Sequence, residues 1–292
     1  MFGEELRRYV QFDPTWVDIV AQVTQHPDRP RPIRKNDQIF MLPGSQLIQA
    51  LLVDDYLKYR DVVFVGDGDC MGLVVAHLAN QGVLKKRPSK IRILDFDERI
   101  LLFVKQAIKD LRLPPDLISV YRYNVRDPIP PELRGAHDVF YTNPPYGSKD
   151  RGNCGRVFLA RCMELCKPAP SWGVALLPFA HKEDWSRAAM YEIQKFLCNQ
   201  GYVVSEMIRE IHQYHLEDRP SLRSSNVVMD RVKNEDPPFS GRRLTDDELL
   251  HFYGGSTDPM PEYISKDGFA EFEGGKRMKL KDEPGWRKEL LD

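Results

Sequence analysis

Continuous apolar runs alternate with segments of helical hydrophobic spacing through the middle of the chain. A run that is apolar throughout is typical of a strand buried on both faces, whereas apolar residues three and four apart are typical of a helix packed on one side. The runs that predict strands are VVFVG, KIRILDFD, ISVYRYNV, the VFYT part of HDVFYTNPPY, WGVALLPF and SSNVVMDRV. The segments that predict helices are 44–57, 71–81, 98–111, 156–166 and 190–200. YVVSEMIREIHQYH fits either a strand or a strand followed by a helix.

This alternation predicts an α/β fold, because strands separated by helices of this length pair in parallel with right-handed crossovers. We expect a Rossmann-like, doubly wound and mostly parallel sheet over residues 58–234, preceded by a helical N-terminal segment, 1–57. Residues 235–292 are polar, with many prolines and glycines, and are interpreted as a tail or lid. Ser45 is expected to cap the helix that starts near residue 44, and Thr245 to cap a short helix in TDDELLHFY.

Composition excludes several classes of protein. The 292 residues carry a net charge of −1, so an extensive nucleic-acid-binding surface is not expected, and no apolar run has the length of a membrane span. The N-terminus lacks the apolar region of a signal peptide. Five cysteines without a Cys-x-x-Cys pair indicate a reduced, cytoplasmic protein. His212 and His215, and Cys162 and Cys166, have helical spacing but no further ligand, so no metal site is expected.

The loop GDGD follows the first predicted strand. Its glycines, Gly66 and Gly68, would let backbone amides approach a ligand at the start of the next helix, although a plain strand-to-helix turn explains them equally. Asp67 and Asp69 place two negative charges in this loop. In an open α/β sheet, ligands bind beyond the carboxyl ends of the strands, so these carboxylates are candidate catalytic groups.

Polar residues also follow the second and third predicted strands. Asp95 and Asp97 lie in LDFDER, and Asp97 is the candidate for hydrogen bonds to a ribose diol. An N-cap of the following helix would also account for Asp97. Asn124 could present its amide to an adenine edge, or it could be a turn residue ahead of Pro128. These positions together predict an adenosine-containing ligand across the edge of the sheet.

The loop TNPPYGS follows the fourth predicted strand and is the most specific short motif. The two prolines fix φ and remove amide donors, which leaves backbone carbonyls free to accept hydrogen bonds. The Asn143 side-chain oxygen and the Pro144 carbonyl could hold the hydrogens of an amine and aim its lone pair. Tyr146 would add a stacking surface. This loop is therefore predicted to present an amine substrate.

The order of strand, glycine loop, acid and Asn-Pro-Pro-Tyr resembles the class I S-adenosylmethionine-dependent transferases over residues 60–230. A narrower resemblance is to the branched-chain polyamine synthases, and it is carried by GDGD, DFDER, the Asn-Pro-Pro loop and residues 192–215. The segment NDQIF also resembles the part of that family that precedes the first core helix. The resemblance implies an aminopropyltransferase that uses decarboxylated S-adenosylmethionine and a polyamine acceptor. It also implies that Gln38 contacts the cofactor.

Two departures from that family keep a second function open. The family's loop typically reads Gly-Asp-Asp-Asp, with an acid where this chain has Gly68, and Asp-Pro-Pro where this chain has Asn143. Asn-Pro-Pro-Tyr is typical of S-adenosylmethionine-dependent methyltransferases that act on planar amines such as adenine or an amide. Nucleic acid is an expected partner only under that alternative.

The segment after the fifth predicted strand is expected to form a wall of the acceptor site. Glu183 and Asp184 would attract a polyamine, and the Trp185 indole could contact a cation. The acids also fit a plain helix N-terminus. The C-terminal segment is a candidate for packing on a second copy of the chain, which would give a homodimer.

Overall fold

A seven-stranded sheet forms the centre of the computed structural model, which describes residues 13–179, 183–216, 221–253, 260–272 and 275–279. Its strands are β1 (Asp61–Val65), β2 (Lys90–Asp95), β3 (Ile118–Arg122), β4 (Val139–Thr142), β5 (Trp172–Leu177), β6 (Tyr202–Gln213) and β7 (Arg223–Arg231). Their order is β3-β2-β1-β4-β5-β7-β6. β1 to β5 are parallel, and β7 is antiparallel to both of its neighbours. The predicted doubly wound, mostly parallel sheet is confirmed.

Helices cover both faces of this sheet. They are α1 (Trp16–Thr24), α2 (Pro43–Leu57), α3 (Met71–Asn80), α4 (Glu98–Asp110), α5 (Asn153–Leu165) and α6 (Asp184–Asn199). In β1, Val62 and Phe64 pack with α1 to α4, and Val63 and Val65 pack with α5 and α6. This double burial explains why the strand reads as an unbroken apolar run.

The described part of the C-terminal segment packs onto the same core. Leu249 and Phe252 join the apolar cluster around α5 and α6, while a small antiparallel sheet follows, made of β8 (Tyr263–Ile264), β9 (Phe269–Glu271) and β10 (Arg277–Lys279). The Ile264 amide donates to the Phe96 carbonyl at 3.1 Å, which ties this sheet to the end of β2. The predicted boundaries at 57/58 and 234/235 stay predictions.

Three local expectations need correction or completion. α2 begins at Pro43, a residue whose fixed φ suits a first helical turn, and Ser45 does not cap it; its hydroxyl accepts from the Gln213 amide at 2.9 Å. Thr245 does accept from the Glu248 amide, but only a 3₁₀ turn, Asp247–Leu249, follows, so the predicted helix is wrong. The ambiguous segment after Gly201 is a strand as far as Gln213.

None of the helices in the described ranges is both long enough and apolar enough to span a membrane.

Candidate active site

A cavity of about 410 Å³ opens at the carboxyl ends of β1 to β4. The loops after these four strands line it, together with residues 34 and 36–40 from the turn between α1 and α2. β1 lies between β2 and β4, so the crossovers leave on opposite sides and a crevice forms at this point of the sheet. The topology therefore brings the predicted loops to one place.

The two glycines of the first loop serve different purposes. Gly66 has a φ of +69°, and a Cβ there would lie 2.7 Å from a ring carbon of Phe158, so both backbone and packing require glycine. A Cβ at Gly68 would meet no heavy atom within 4 Å. Both glycines line the cavity, and a side chain at position 68 has room.

Asp67 is a helix cap. It is 4% exposed, and its carboxylate accepts from the backbone amides of Met71 at 2.7 Å and Gly72 at 2.9 Å, at the N-terminus of α3. Burial raises the pKa of Asp67 well above its ordinary value, and the two amides oppose that shift. Asp67 is not among the described residues that line the cavity.

Asp69 faces the cavity. One carboxylate oxygen accepts from the Met41 amide at 2.7 Å, and the other accepts from the side-chain amide of Asn143 at 2.8 Å. Its own backbone carbonyl is held by Arg29 at 3.2 Å and Gln46 at 3.1 Å. Burial raises the pKa of Asp69, while the Arg29 charge lowers it. The two loop aspartates therefore have separate tasks.

The Asn-Pro-Pro-Tyr loop meets Asp69 from the other side of the crevice. Because the Asn143 amide nitrogen donates to Asp69, its oxygen is turned toward Tyr214, whose hydroxyl lies 3.4 Å away. Tyr146 is partly buried, its hydroxyl bonds that of Tyr214, and burial raises the pKa of its phenol. Asn143, Pro144 and Tyr146 all line the cavity, and their contact with an amine stays a prediction.

A buried polar network supports Tyr214 from behind. The Tyr214 hydroxyl lies 2.6 Å from that of Ser224, which lies 2.8 Å from Nδ1 of His212. Nε2 of His212 lies 2.7 Å from the Gln49 side-chain oxygen. Burial lowers the pKa of His212 to about 3, so the imidazole is neutral near pH 7. His212 is thus a structural partner of the site.

The acids after β2 are also divided. Asp95 lines the cavity, and burial, followed by the charge of Asp97, raises its pKa to about 7. Asp97 is 0% exposed and caps α4, where it accepts from the Arg99 amide at 3.0 Å and pairs with the Arg99 guanidinium at 2.7 Å. Gln38, which lines the cavity, donates to Asp97 at 3.0 Å. The structure thus places Asp95 at the cavity surface and Asp97 behind Gln38, and the ribose contact of Asp97 stays a prediction.

Asn124 lines the cavity after β3, but the chain itself already engages its amide. The nitrogen donates to the carbonyls of Pro261, at 3.1 Å, and Glu262, and the oxygen accepts from the Arg126 amide at 3.0 Å. The contact with adenine stays a prediction.

Of the three residues predicted at the acceptor wall, Trp185 lines the cavity. Glu183 accepts from the Trp185 indole nitrogen and thereby sets the orientation of the ring. Asp184 pairs with Arg187, and its side chain is 93% exposed. The described lining includes neither acid. Among the residues that the structure describes, no group of three or more His, Cys, Asp or Glu could hold a metal ion.

Comparison with known proteins gives a family for this arrangement. The model of the branched-chain polyamine synthase A C-terminal domain matches residues 18–249. The chain belongs to this family. An N(4)-bis(aminopropyl)spermidine synthase of Thermus thermophilus is 29% identical over 190 residues, which are 64% of this chain and 50% of that protein. An uncharacterized protein of Methanocaldococcus jannaschii is 29% identical over 218 residues, 71% of this chain and 49% of that one.

A solved structure gives the same fold. The C9 mutein of the Thermus thermophilus branched-chain polyamine synthase, in complex with N4-aminopropylspermidine and 5′-methylthioadenosine, superimposes with a TM-score of 0.67 at 22% identity, over 83% of this chain and 70% of that one. The chain spans about half the length of the curated relatives it matches.

Several cavity residues of this polyamine synthase family member escaped sequence reasoning. Asp37, Tyr214, Tyr253 and Met260 all line the cavity. Asp37 lies inside NDQIF and could have been singled out as an acid beside Gln38. The other three arrive from β6 and the C-terminal segment through non-local packing, for which a single sequence carries no signal.

Proposed function

We propose that this protein transfers an aminopropyl group from decarboxylated S-adenosylmethionine to a nitrogen of a polyamine. The names of its relatives and the complex of the Thermus structure support a donor of this type and a polyamine acceptor. The observation that carries the proposal is the buried carboxylate of Asp69, 6% exposed, in the wall of the cavity after β1.

Asp69 accounts for the choice of donor. In this fold the loop after β1 lies near the amino-acid end of the donor. Ordinary S-adenosylmethionine carries a carboxylate at that end, and two like charges about 4 Å apart repel by roughly 4 kcal/mol at an effective dielectric of 20. Decarboxylation removes this charge and leaves an ammonium, which Asp69 attracts. Asp67 adds little, because the amides of Met71 and Gly72 hold its carboxylate away from the cavity.

Asn143 orients the nucleophile. Its amide nitrogen is committed to Asp69, so its oxygen is the group that can accept an N–H of the acceptor, together with the Pro144 carbonyl. This leaves the nitrogen lone pair directed at the donor carbon next to sulfur. Alignment of nitrogen, carbon and sulfur provides much of the rate acceleration in such a displacement.

The proposed transfer forms one carbon–nitrogen bond and breaks one carbon–sulfur bond. The acceptor nitrogen attacks the first carbon of the aminopropyl arm, the carbon–sulfur bond breaks, and 5′-methylthioadenosine leaves with the electron pair. When the acceptor is a primary or secondary amine, the new nitrogen centre releases a proton to Asp69, whose raised pKa makes it a stronger base than an exposed carboxylate. The Trp185 indole supplies a surface for a distal ammonium.

Methyl transfer to a planar amine is the second candidate. Arg34 and Lys149 also line the cavity, and such cations would suit the carboxylate of ordinary S-adenosylmethionine. Asn143 and Tyr146 could hold a planar amine, and nucleic acid would then be a partner. The two candidates predict opposite donor preferences.

Calorimetry with the two donors, followed by mass spectrometry of products formed from spermidine, tests the proposal. Aminopropyl transfer predicts tighter binding of the decarboxylated donor and a product heavier by one or two aminopropyl groups. Tighter binding of S-adenosylmethionine, with methylated product, would establish the second candidate instead. Binding of neither donor would reject both.

A further inference from the structure

We propose that Asp37 is a second anionic anchor for the acceptor, and that it selects amines that carry a protonated nitrogen besides the nucleophile. This inference rests on the proposed aminopropyl transfer and adds the residue that binds a second positive charge of the acceptor.

The backbone fixes Asp37 at the cavity. The 3₁₀ turn Arg34–Asn36 ends at Asp37, which has φ 54° and ψ 27°. Aspartate and asparagine tolerate this left-handed conformation better than most residues do. Next to it, Gln38 is held on both sides, since its oxygen accepts from the Ile33 amide at 2.8 Å and its nitrogen donates to Asp97. Asp37 is therefore part of a fixed wall.

Asp37 and Asn143 lie at opposite ends of Tyr146. One carboxylate oxygen of Asp37 accepts from the Tyr146 backbone amide at 3.1 Å. The Tyr146 hydroxyl, at the far end of the side chain, bonds that of Tyr214, which lies 3.4 Å from the Asn143 oxygen.

A polyamine carries further protonated nitrogens beyond the one that reacts. With the reacting nitrogen at Asn143, the rest of the acceptor can run along Tyr146 toward Asp37, which binds the Tyr146 amide. The charges of Asp37 and Asp69 both raise the pKa of the Tyr146 phenol, after the larger effect of burial.

The distribution of charge favours the same assignment. Among the described residues, the lining contains three carboxylates, Asp37, Asp69 and Asp95, beside the cations Arg34 and Lys149. Asp69 lies beside the proposed nucleophile, and Asp95 ends β2, on the side predicted to hold the ribose. Asp37 is the carboxylate placed for a second nitrogen of the acceptor.

Asp37→Asn tests this assignment cleanly. Asparagine also adopts the left-handed conformation, and its oxygen can still accept from the Tyr146 amide, so the negative charge is lost while this contact is kept. The control is Asp116→Asn, which removes an exposed carboxylate ahead of β3, at the opposite edge of the sheet. The ligands are spermidine and N-propylbutylamine, which has the same skeleton without the terminal amino groups.

Calorimetry on the full chain saturated with 5′-methylthioadenosine should show spermidine affinity reduced about tenfold in Asp37→Asn, as expected for loss of a charged hydrogen-bond partner. N-Propylbutylamine and 5′-methylthioadenosine should bind as in the unaltered protein, which also verifies folding. An equal loss of spermidine affinity in Asp116→Asn, or an unchanged spermidine affinity in Asp37→Asn, overturns the role of Asp37. Either result leaves the proposed aminopropyl transfer standing. Failure of the unaltered protein to bind 5′-methylthioadenosine or spermidine rejects the proposed function and this inference with it.

Discussion

The side-chain amide of Asn143 donates to the carboxylate of Asp69 across 2.8 Å, which joins the loop after β4 to the loop after β1. This bond fixes which end of the Asn143 amide faces a substrate. It also keeps a buried carboxylate in place beside the proposed reaction centre. Donor choice and nucleophile orientation thus depend on one pair of residues.

Replacement of Asp69 by asparagine should lower kcat about 100-fold, the lower end of the usual range for loss of a general base. The new amide would also compete for the Asn143 oxygen and turn it from the cavity. The preference for decarboxylated donor should shrink. Asp67→Asn, the matched control, should change kcat/KM less than about threefold and mainly lower Tm, since Asp67 caps α3. Equal kinetic losses in both variants would contradict the division of tasks.

Affinity for 5′-methylthioadenosine should increase as the pH rises through 7. Asp95 lines the cavity with a pKa of about 7, and only its ionised form accepts two ribose hydrogen bonds. Between pH 6 and pH 8 its ionised fraction grows about tenfold, so Kd should fall by up to that factor. Titration calorimetry at several pH values measures this. Asp95→Asn should flatten the profile, and an unchanged profile in that variant would exclude Asp95 as its source.

The same carboxyl should make stability depend on pH in the opposite sense. Folding raises the pKa of Asp95 from its ordinary 3.8 to about 7, so the folded state binds more protons between these values. The contribution of Asp95 to the free energy of unfolding should therefore fall as pH rises from about 4 to about 7, and then level off. Urea titrations of the unaltered protein and Asp95→Asn would show this as a difference in slope. A parallel pair of curves would contradict it.

Gly68→Asp should be accommodated and should strengthen polyamine binding. A Cβ at this position meets no heavy atom within 4 Å, and the residue lines the cavity. An added carboxylate would attract cations and repel the carboxylate of S-adenosylmethionine, so spermidine Kd should fall about threefold to tenfold. Gly66→Asp is the contrasting variant and should misfold, because its Cβ would clash with Phe158. Weaker spermidine binding in Gly68→Asp would contradict an acceptor with several positive charges.

Loss of the Ser224 hydroxyl should cost more stability than loss of the Tyr214 hydroxyl. Ser224→Ala leaves Nδ1 of His212 without its partner in a buried network and removes one partner of the Tyr214 hydroxyl, which costs about 1–3 kcal/mol. Tyr214→Phe leaves Ser224 bonded to His212, yet it removes the group beside Asn143 and should lower kcat. Thermal unfolding and kcat, measured on both variants, should rank them in opposite orders. The same rank in both assays would show that the network acts through stability alone.

Local patterns were sufficient for the strands and for the convergence of four loops, because both follow from hydrophobic periodicity and the rule for open sheets. They could not separate Asp67 from Asp69. The two residues are two positions apart in one turn, and only tertiary packing decides which of the two side chains faces the cavity. Asp95 and Asp97 show the same difficulty: one reaches the cavity while Arg99 holds the other behind Gln38.

The failures have a common physical origin in tertiary contacts. Thr245 caps a turn as its sequence suggests, but packing of the segment onto the core replaces the helix that local propensity favours. Ser45 bonds a distant strand in preference to its own helix end. Tyr214 and Met260 join the cavity from elements far along the chain.

The segment that carries Tyr253 and Met260 lies beyond residue 249, where the family match ends, yet both side chains line the cavity and the Pro261 carbonyl occupies the Asn124 amide. A recombinant fragment trimmed to the aligned region would therefore lack part of the pocket wall and expose Asn124. Inhibitors that reach this wall could distinguish this protein from relatives whose own sequences diverge there.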